Sequence, residues 1–523
     1  MQYFLYCDII VKLLKKLKGK EGIKVFMIKR LYACVREYRL ATWLTPLFIL
    51  GEAVIECLIP YRIANLINNL NDYGVVLESI IKDGLILAVL ACASLIFGTC
   101  AAITAAKAGS GFAKNLRHDM YDCIVKYSFA NIDRFSSSSL VTRMTTDVGY
   151  VQMAFMIIIR MAIRCPLMLI FSIIMAYIMG GTLSTMFVIV VPVLAVGLFL
   201  VAKNAMPAFR SVFRKYDKLN ESIEENVSAM RAVKSFVREE YEQEKFTRAS
   251  EDIRKDFTHA ERIVALNSPL MQLCLYFNMA FVLYIGSKLI IGSNGTYINV
   301  GQLSAMLTYG FQILSSLMMV AMVCVMLTLS AESAHRIYEV LSESSSLNNP
   351  ENPVTEVKNG NIDFSGVSFK YSEKAEKNAL DKIDLHIKSG QTVGILGGTG
   401  SGKSTLVQLI PRLYDVSEGC VRVGDVDVRD YDIETLRDQV AMVLQKNLLF
   451  AGTISENLRW GNENATDEEL REACRLSQAD EFISQFPDGY ETRIKQGGAN
   501  VSGGQKQRCA IARALIKNPK LLL

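Results

Sequence analysis

Six apolar stretches, residues 42–67, 80–102, 153–178, 183–201, 269–291 and 303–329, constrain this chain more than any other feature. At 1.5 Å of rise per helical residue, about twenty such residues cross the roughly 30 Å hydrocarbon core of a bilayer. Hydrophobic residues make up 51% of the 523 and charged residues only 21%, too apolar for a disordered chain and for most soluble enzymes. The net charge of +5 is small for this length. Its basic residues lie between the apolar runs and form no nucleic-acid face. The twelve cysteines include no CxxC pair, and Cys57, Cys92, Cys100, Cys165, Cys274 and Cys324 sit inside apolar stretches. They read as small buried hydrophobes.

The intervals between the stretches set the orientation. Short ones, residues 68–83, Gly180-Gly181 and residues 292–296, are nearly free of Lys and Arg, whereas Arg117, Lys126, Arg134 and Arg143 follow the second stretch. Lys203, Arg210, Arg214, Lys215, Lys218, Arg231, Lys234 and Arg238 follow the fourth. By the positive-inside rule the long basic intervals are cytosolic, and so are both ends of the membrane unit. Residues 1–20 carry Lys12, Lys15, Lys16, Lys18 and Lys20 without a small-residue cleavage site, which reads as a basic cytosolic segment.

The interval 207–262 combines dense charge with heptad-like apolar spacing, and a helix pair made from it would project roughly 35 to 40 Å. Residues 230–240 place Val233, Phe236 and Val237 on one helical side, and residues 129–135 are a counterpart in the first basic interval. Each reads either as a solvated amphipathic turn or as a short helix that docks a cytosolic domain. Within the spans, Glu52 and Glu56 are four residues apart, as are Arg160 and Arg164, so each pair shares a helix face. The two pairs are expected to neutralise one another as buried ion pairs, with a grip on charged cargo or snorkelling to headgroups as alternatives.

Residues 342–353 are rich in Ser, Asn and Pro, and from Gly360 short β-branched runs alternate with polar helical segments. The expected organisation is a basic segment 1–41, a six-helix membrane domain 42–340, a linker 341–359 and an α/β domain 360–523. In the last, Gly397-Gly398-Thr399-Gly400-Ser401-Gly402-Lys403-Ser404 fits the phosphate loop G-x-x-x-x-G-K-[ST], after a strand-like run at 392–396 and before a helix-like run at 405–410. Glycines let backbone N–H groups wrap the phosphates, Lys403 meets the β- and γ-phosphates, and Ser404 can ligate magnesium. A dinucleotide loop is excluded because Thr405 stands where its third glycine would be.

Tyr371 lies upstream of this loop, Gln445 follows a strand-like run at 440–444, and Ser502-Gly503-Gly504-Gln505 arrives about a hundred residues after Lys403. In this order and spacing the chain resembles a half-transporter of the ABC exporter type, bacterial multidrug-exporter-like, over nearly its whole length. The implied fold is an α-helical six-span membrane domain followed by an α/β P-loop ATPase domain. The resemblance implies ATP and Mg2+ as ligands: Tyr371 stacks on adenine; Gly397, Gly398, Thr399, Gly400, Ser401, Gly402, Lys403, Ser404 and Thr405 hold the phosphates; Ser404 and Gln445 serve magnesium, and Lys403 and Gln445 serve catalysis. Ser502, Gly503, Gly504 and Gln505 would cap ATP on a partner subunit. Phe450, Gly452, Thr453, Ile454, Glu456 and Asn457 match the stretch that usually follows the glutamine. Residues 129–135 and 230–240 resemble the family's coupling helices.

Three departures from the family qualify this. The chain given ends at Leu521-Leu522-Leu523, where the family continues into an Asp, the catalytic carboxylate and a switch histidine. As given, it is expected to bind ATP and hydrolyse it poorly, by on the order of 10²-fold or more. Lys495 and Gln496 stand where related exporters offer a glutamate to a partner's coupling helix, and the Gln-Gly-Gly-x-Asn-Val form resembles one half of heterodimeric exporters. A heterodimer is favoured, with a homodimer as the alternative. Met27-Ile-Lys-Arg resembles a usual exporter start, and residues 1–26, which have no counterpart, are too few for the protease domain of peptide-maturing exporters. The leading expectation is export of amphipathic or apolar cargo through the plasma membrane. A catalytically impaired regulatory subunit, or import or lipid flipping on the same fold, are the alternatives.

Overall fold

All six apolar stretches are helical, and most extend well past the hydrocarbon core. The computed structural model describes residues 21–71, 77–293, 296–372 and 375–523. The basic segment 1–20 lies outside the described residues. Two compact units divide the chain: one holds residues up to Asp122 together with Leu140–Ser342, the other Cys123–Ser139 together with Glu343–Leu523. The second unit therefore takes in a piece of the first cytosolic interval, which the sequence reading left inside the membrane domain.

In the first unit α1 (Glu21–Ala33) precedes α2 (Arg39–Asn71) and α3 (Leu77–Val125). Next come α4 (Phe129–Phe135), assigned to the second unit, then α5 (Ser137–Thr142) and α6 (Val148–Gly180). A 3-10 turn, Gly181–Met186, separates α6 from α7 (Phe187–Ser228), so the third and fourth spans are distinct helices. After α8 (Met230–Ser235) and α9 (Glu239–Ala265) come α10 (Asn267–Ser293) and α11 (Val300–Ser342). Pro46 and Pro60 in α2, Pro166 in α6, and Pro192 and Pro207 in α7 sit within helices, tolerated in membrane spans because neighbouring groups re-satisfy the freed carbonyls. The core gathers Ala176, Leu194, Val282, Met306, Tyr309 and Ile313 from α6, α7, α10 and α11. Leu85, Leu95, Val188, Phe199 and Ile291 are exposed, the surface an apolar solvent requires.

Several polar side chains inside this unit are paired. Arg164 Nη2 donates to both oxygens of Glu56 at 2.7 and 2.9 Å and lies 3.5 Å from Glu52. Arg160 forms no ion pair among the described residues, which corrects the expected two-against-two pairing. Glu52 and Glu56 are one turn apart, so a single guanidinium reaches both. Tyr309 donates to the Cys57 carbonyl at 2.7 Å, and Ser172 to Gln312 at 3.1 Å. Cys57, Cys165 and Cys274 are buried, but Cys92 and Cys324 are exposed, since a thiol is equally at home against lipid. Between α5 and α6 the chain makes a π-helical turn, Arg143–Asp147. There the fully buried Asp147 accepts from Ser333 at 2.9 Å and from Arg336 at 2.5 Å. No sequence motif marked this contact.

The charged interval forms the antiparallel pair α7 and α9, tied by Lys215 to Asp256 at 2.8 Å and Asn226 to Glu242 at 2.9 Å. The short helix α8 ends at Ser235, and Val237 has φ +52°, so Phe236 and Val237 do not share a helical side with Val233 as expected. Both are strongly exposed, at 77% and 82%.

The second unit is built on strand β1 (Ile362–Phe369), antiparallel to β2 (Leu380–Ile387) on one side and β3 (Glu418–Val423) on the other, with β4 (Val426–Asp427) beyond β3. Beneath lie α12 (Lys403–Leu409) and α13 (Ile433–Gln439), packing Leu409 and Leu436 against Phe364, Val421 and Tyr431. Strand β5 (Val440–Ala441) is shorter than the expected run to residue 444. β6 (Gly452–Thr453) pairs with β7 (Arg493–Ile494), and β5 pairs in parallel with β8 (Leu521–Leu522). A second core joins α14 (Ile454–Arg459), α15 (Asp467–Leu476), α16 (Asp480–Ile483) and α17 (Gly503–Ile516) through Leu458, Leu470, Ile483 and Ala512. The expected strand at 392–396 is not formed. Among the described residues no strand pairs with it, and Leu396 is 97% exposed; a β-branched run without a ladder partner has nothing to satisfy its backbone.

Candidate nucleotide-binding site

The glycine loop turns on two left-handed residues, Gly400 at φ +85° and Gly402 at φ +86°. At Gly402 an added Cβ would stand 2.7 Å from the Ala379 carbonyl oxygen, so this position needs glycine for both conformation and space. Gly402 caps α12, and the helix begins at Lys403, two residues before the expected 405. The ammonium of Lys403 folds back over the loop and donates to the Gly397 and Gly398 carbonyls at 2.8 and 2.7 Å, with Ser401 Oγ at 3.4 Å. A cation held by neutral carbonyl and hydroxyl dipoles exchanges them readily for phosphate oxygens. Ser404 is exposed in the first turn of α12 and has no hydrogen-bond partner among the described residues, so its hydroxyl is available to a metal. Thr399 is exposed on the loop, and Thr405 is buried beneath it.

Tyr371 stands beside this loop. Its hydroxyl lies 3.0 Å from Thr405 Oγ1 and donates to Gln408 at 3.1 Å, both on α12, while half of the residue stays exposed. Its ring meets Phe369 edge-on at 4.9 Å and Tyr414 at 5.3 Å. The structure thus joins Tyr371 to Thr405, two residues the sequence singled out separately. Gln445 occupies an exposed bend after β5, and no hydrogen bond joins it to Lys403 or Ser404.

The Ser-Gly-Gly-Gln segment starts helix α17. Ser502 is its N-cap, accepting from Gln505 N–H at 3.3 Å, while Gln505 Oε1 accepts from Ser502 N–H at 2.8 Å. This reciprocal capping box occupies the Gln505 side chain locally. Gly503 and Gly504 are exposed, with nothing within 4 Å of an added Cβ, so the backbone at this helix start stays open to a ligand. Behind it, Arg513 donates to the Asn457 carbonyl at 2.9 Å and to its side-chain oxygen at 3.1 Å. Asn457 in turn accepts from Phe450 N–H at 2.8 Å and donates to the Phe450 and Thr453 carbonyls. The segment after Gln445 is thereby fastened to α17.

These features accompany a match of residues 42–329 to the ABC transporter transmembrane region and of residues 380–523 to the ABC transporter family. The chain belongs to the ABC transporter family. An uncharacterized ABC transporter ATP-binding protein of Bacillus subtilis is 33% identical over 492 residues, covering 94% of this chain and 84% of the relative. One from Mycobacterium tuberculosis is 36% identical over 420 residues, covering 79% and 71%. An ATP-dependent lipid A-core flippase of Desulfotalea psychrophila is 27% identical over 498 residues, covering 95% and 86%. This ABC transporter is a multi-pass membrane protein with an exporter-type membrane region and a cytosolic ATP-binding ATPase domain in one chain.

The sequence did not point to Tyr414, Asp133 or Arg513. Asp133 lies in a segment singled out as a docking helix with no role given to its carboxylate, and Tyr414 and Arg513 carry no motif of their own. Asn457 was noted only as part of a pattern. Their roles arise from which segments the fold brings together.

Proposed function

We propose that this chain is half of a dimeric exporter that uses ATP to move amphipathic or apolar small molecules, of multidrug or lipid type, across the membrane. The observation that carries this is the pair of half-sites. The glycine loop with Lys403 and the open helix start at Ser502 to Gly504 are both exposed within one chain, as composite sites shared between two subunits require. Lys403 and the loop backbone would hold the phosphates, Tyr371 the adenine, and Ser404 with Gln445 a magnesium ion. That ion would supply charge neutralisation on the phosphate oxygens. Exposed Met230, Phe236 and Val237 around α8 suit docking onto the partner's ATPase domain.

Lys403→Ala tests the reading in inverted membrane vesicles. ATP-dependent uptake of an amphipathic dye should be lost while the amount of inserted protein is unchanged. Uptake equal to wild type would refute an energising role for this site.

A regulatory, catalytically impaired role within a heterodimer is the second reading. It is favoured by Lys495 and Gln496, both exposed on a loop pinned by Asn500 to the Lys495 N–H at 2.9 Å and by Lys506 to the Gly497 carbonyl at 2.9 Å. The loop presents an altered side-chain pair at a position the family uses between subunits. Isolation of the tagged chain from its native membrane separates the cases, since a homodimer returns one polypeptide and a heterodimer two.

A further inference from the structure

The loop that joins α3 to α6 contributes α4 to the second compact unit. Ser128 caps this helix through a capping box with Asn131, whose side chain donates to Glu343 at 2.9 Å, and Arg134 pairs with the same carboxylate. On the other side of α4, Asp133 accepts a hydrogen bond from the Tyr414 hydroxyl at 2.7 Å, and the Phe129 ring lies 6.1 Å from the Tyr414 ring. The same Tyr414 ring packs edge-on against Tyr371 at 5.3 Å and, tilted, against Phe369 at 5.6 Å. Tyr371 is itself tied to α12 through Thr405 and Gln408. An uninterrupted series of direct contacts therefore runs from α4 through one side chain to the aromatic ring beside the glycine loop. Burial, with the Asp133 carboxylate adding to it, pushes the Tyr414 phenol upward, so it remains a donor to Asp133 at neutral pH.

We infer that Tyr414 is a positioning residue that sets the Tyr371 ring for adenine according to whether α4 is docked, so that the Asp133–Tyr414 contact tunes affinity for the nucleoside part of ATP and leaves the triphosphate part alone. This rests on the reading of Tyr371 as the adenine platform. Tyr371 is half exposed and its inner edge is covered by Tyr414 and Phe369, so its ring angle depends on those two neighbours. Of the two, Tyr414 is the one that touches α4 among the described residues, through Asp133 and Phe129. By reciprocity, whatever α4 does to adenine affinity, bound nucleotide does to α4 docking.

The test is displacement of a fluorescent ATP analogue from the full chain in detergent by ATP and, separately, by tripolyphosphate. Tyr414→Phe keeps the ring and removes only the hydrogen bond, and Asp133→Ala removes it from the other side. Each should weaken ATP roughly two- to ten-fold, the range of one aromatic or hydrogen-bond contact, with tripolyphosphate unchanged. The double variant should be no worse than either alone. In a Tyr371→Ala background both substitutions should become silent. The inference is overturned if Tyr414→Phe binds ATP as wild type does, if tripolyphosphate weakens equally, or if Asp133→Ala keeps its full effect without Tyr371. Tyr371→Ala alone separates the two levels. Equal losses of ATP and tripolyphosphate there would remove the adenine platform itself, whereas a selective loss there, with Tyr414→Phe silent in the otherwise wild-type chain, removes only the relay.

Discussion

Gly402→Ala perturbs the nucleotide loop in a way whose cost can be worked from the structure. At φ +86° an alanine bears about 1–2 kcal/mol of left-handed backbone strain. Its Cβ would also sit 2.7 Å from the Ala379 carbonyl oxygen and 2.8 Å from Leu380 Cδ2. Leu380 can turn away, but the Ala379 carbonyl belongs to a backbone segment anchored by the Ala379 N–H to the Phe369 carbonyl at 2.8 Å, at the start of β2. Forcing it adds about 1–2 kcal/mol more, within the usual range for overpacking. The sum is about 2–4 kcal/mol, which for a unit of roughly 200 residues lowers the midpoint by about 4–15 °C. Thermal unfolding of the full chain in detergent, followed by a dye attached to the ATPase unit, measures this. Gly398→Ala is the control, because an added Cβ there meets nothing within 4 Å, and its midpoint should move by no more than about 2 °C. Equal shifts for the two variants, or a Gly402→Ala midpoint at the wild-type value, would refute the steric account.

Three further outcomes are expected. Asn457→Ala orphans the Phe450 N–H, the Thr453 carbonyl and part of the Arg513 guanidinium; at about 1 kcal/mol per lost bond it should destabilise the ATPase unit by about 3 kcal/mol, read by thermal unfolding, with Asn457→Asp recovering only part. The Thr435 backbone N–H, joined by side-chain hydrogen bonds, holds the Asp432 carboxyl below its ordinary 3.8. Its support of α13 is therefore complete above that value and is lost as pH falls through the lower folded value, so Asp432→Asn should flatten the acid limb of an unfolding curve. Arg164→Leu leaves Glu52 and Glu56 without their shared cation; monodisperse protein recovered from membranes should fall several-fold, Glu56→Arg with Arg164→Glu should restore it, and Arg160→Ala should recover as wild type does.

Much of the architecture was legible along the chain because its signals are local or periodic. Twenty-residue apolar runs can do little but cross a bilayer, and the left-handed turn at Gly400 and Gly402 is announced by glycines in the phosphate-loop spacing, although the crowding of Gly402 by Ala379 is not. The Ser502 to Gln505 motif was legible in four consecutive positions, whereas its reciprocal capping box emerged from the structure. Strand formation was less legible. Residues 392–396 have strand composition yet form no ladder, because a strand exists only where another supplies its hydrogen bonds. The ion pairs failed in the same way: helix periodicity placed Glu52 with Glu56 and Arg160 with Arg164, but side-chain reach decided that Arg164 serves both carboxylates.

What the sequence by itself determined was the kind of machine: a multi-pass membrane domain joined to a P-loop ATPase, since hydropathy, charge asymmetry and phosphate-loop spacing act over short stretches. Tertiary structure alone decided the wiring. It set Asp133 against Tyr414 across 281 positions of sequence, Tyr414 against Tyr371, and Asn457 against Arg513. Such contacts depend on where separate segments come to rest, and their energies of about a kilocalorie apiece leave no pattern in the order of residues.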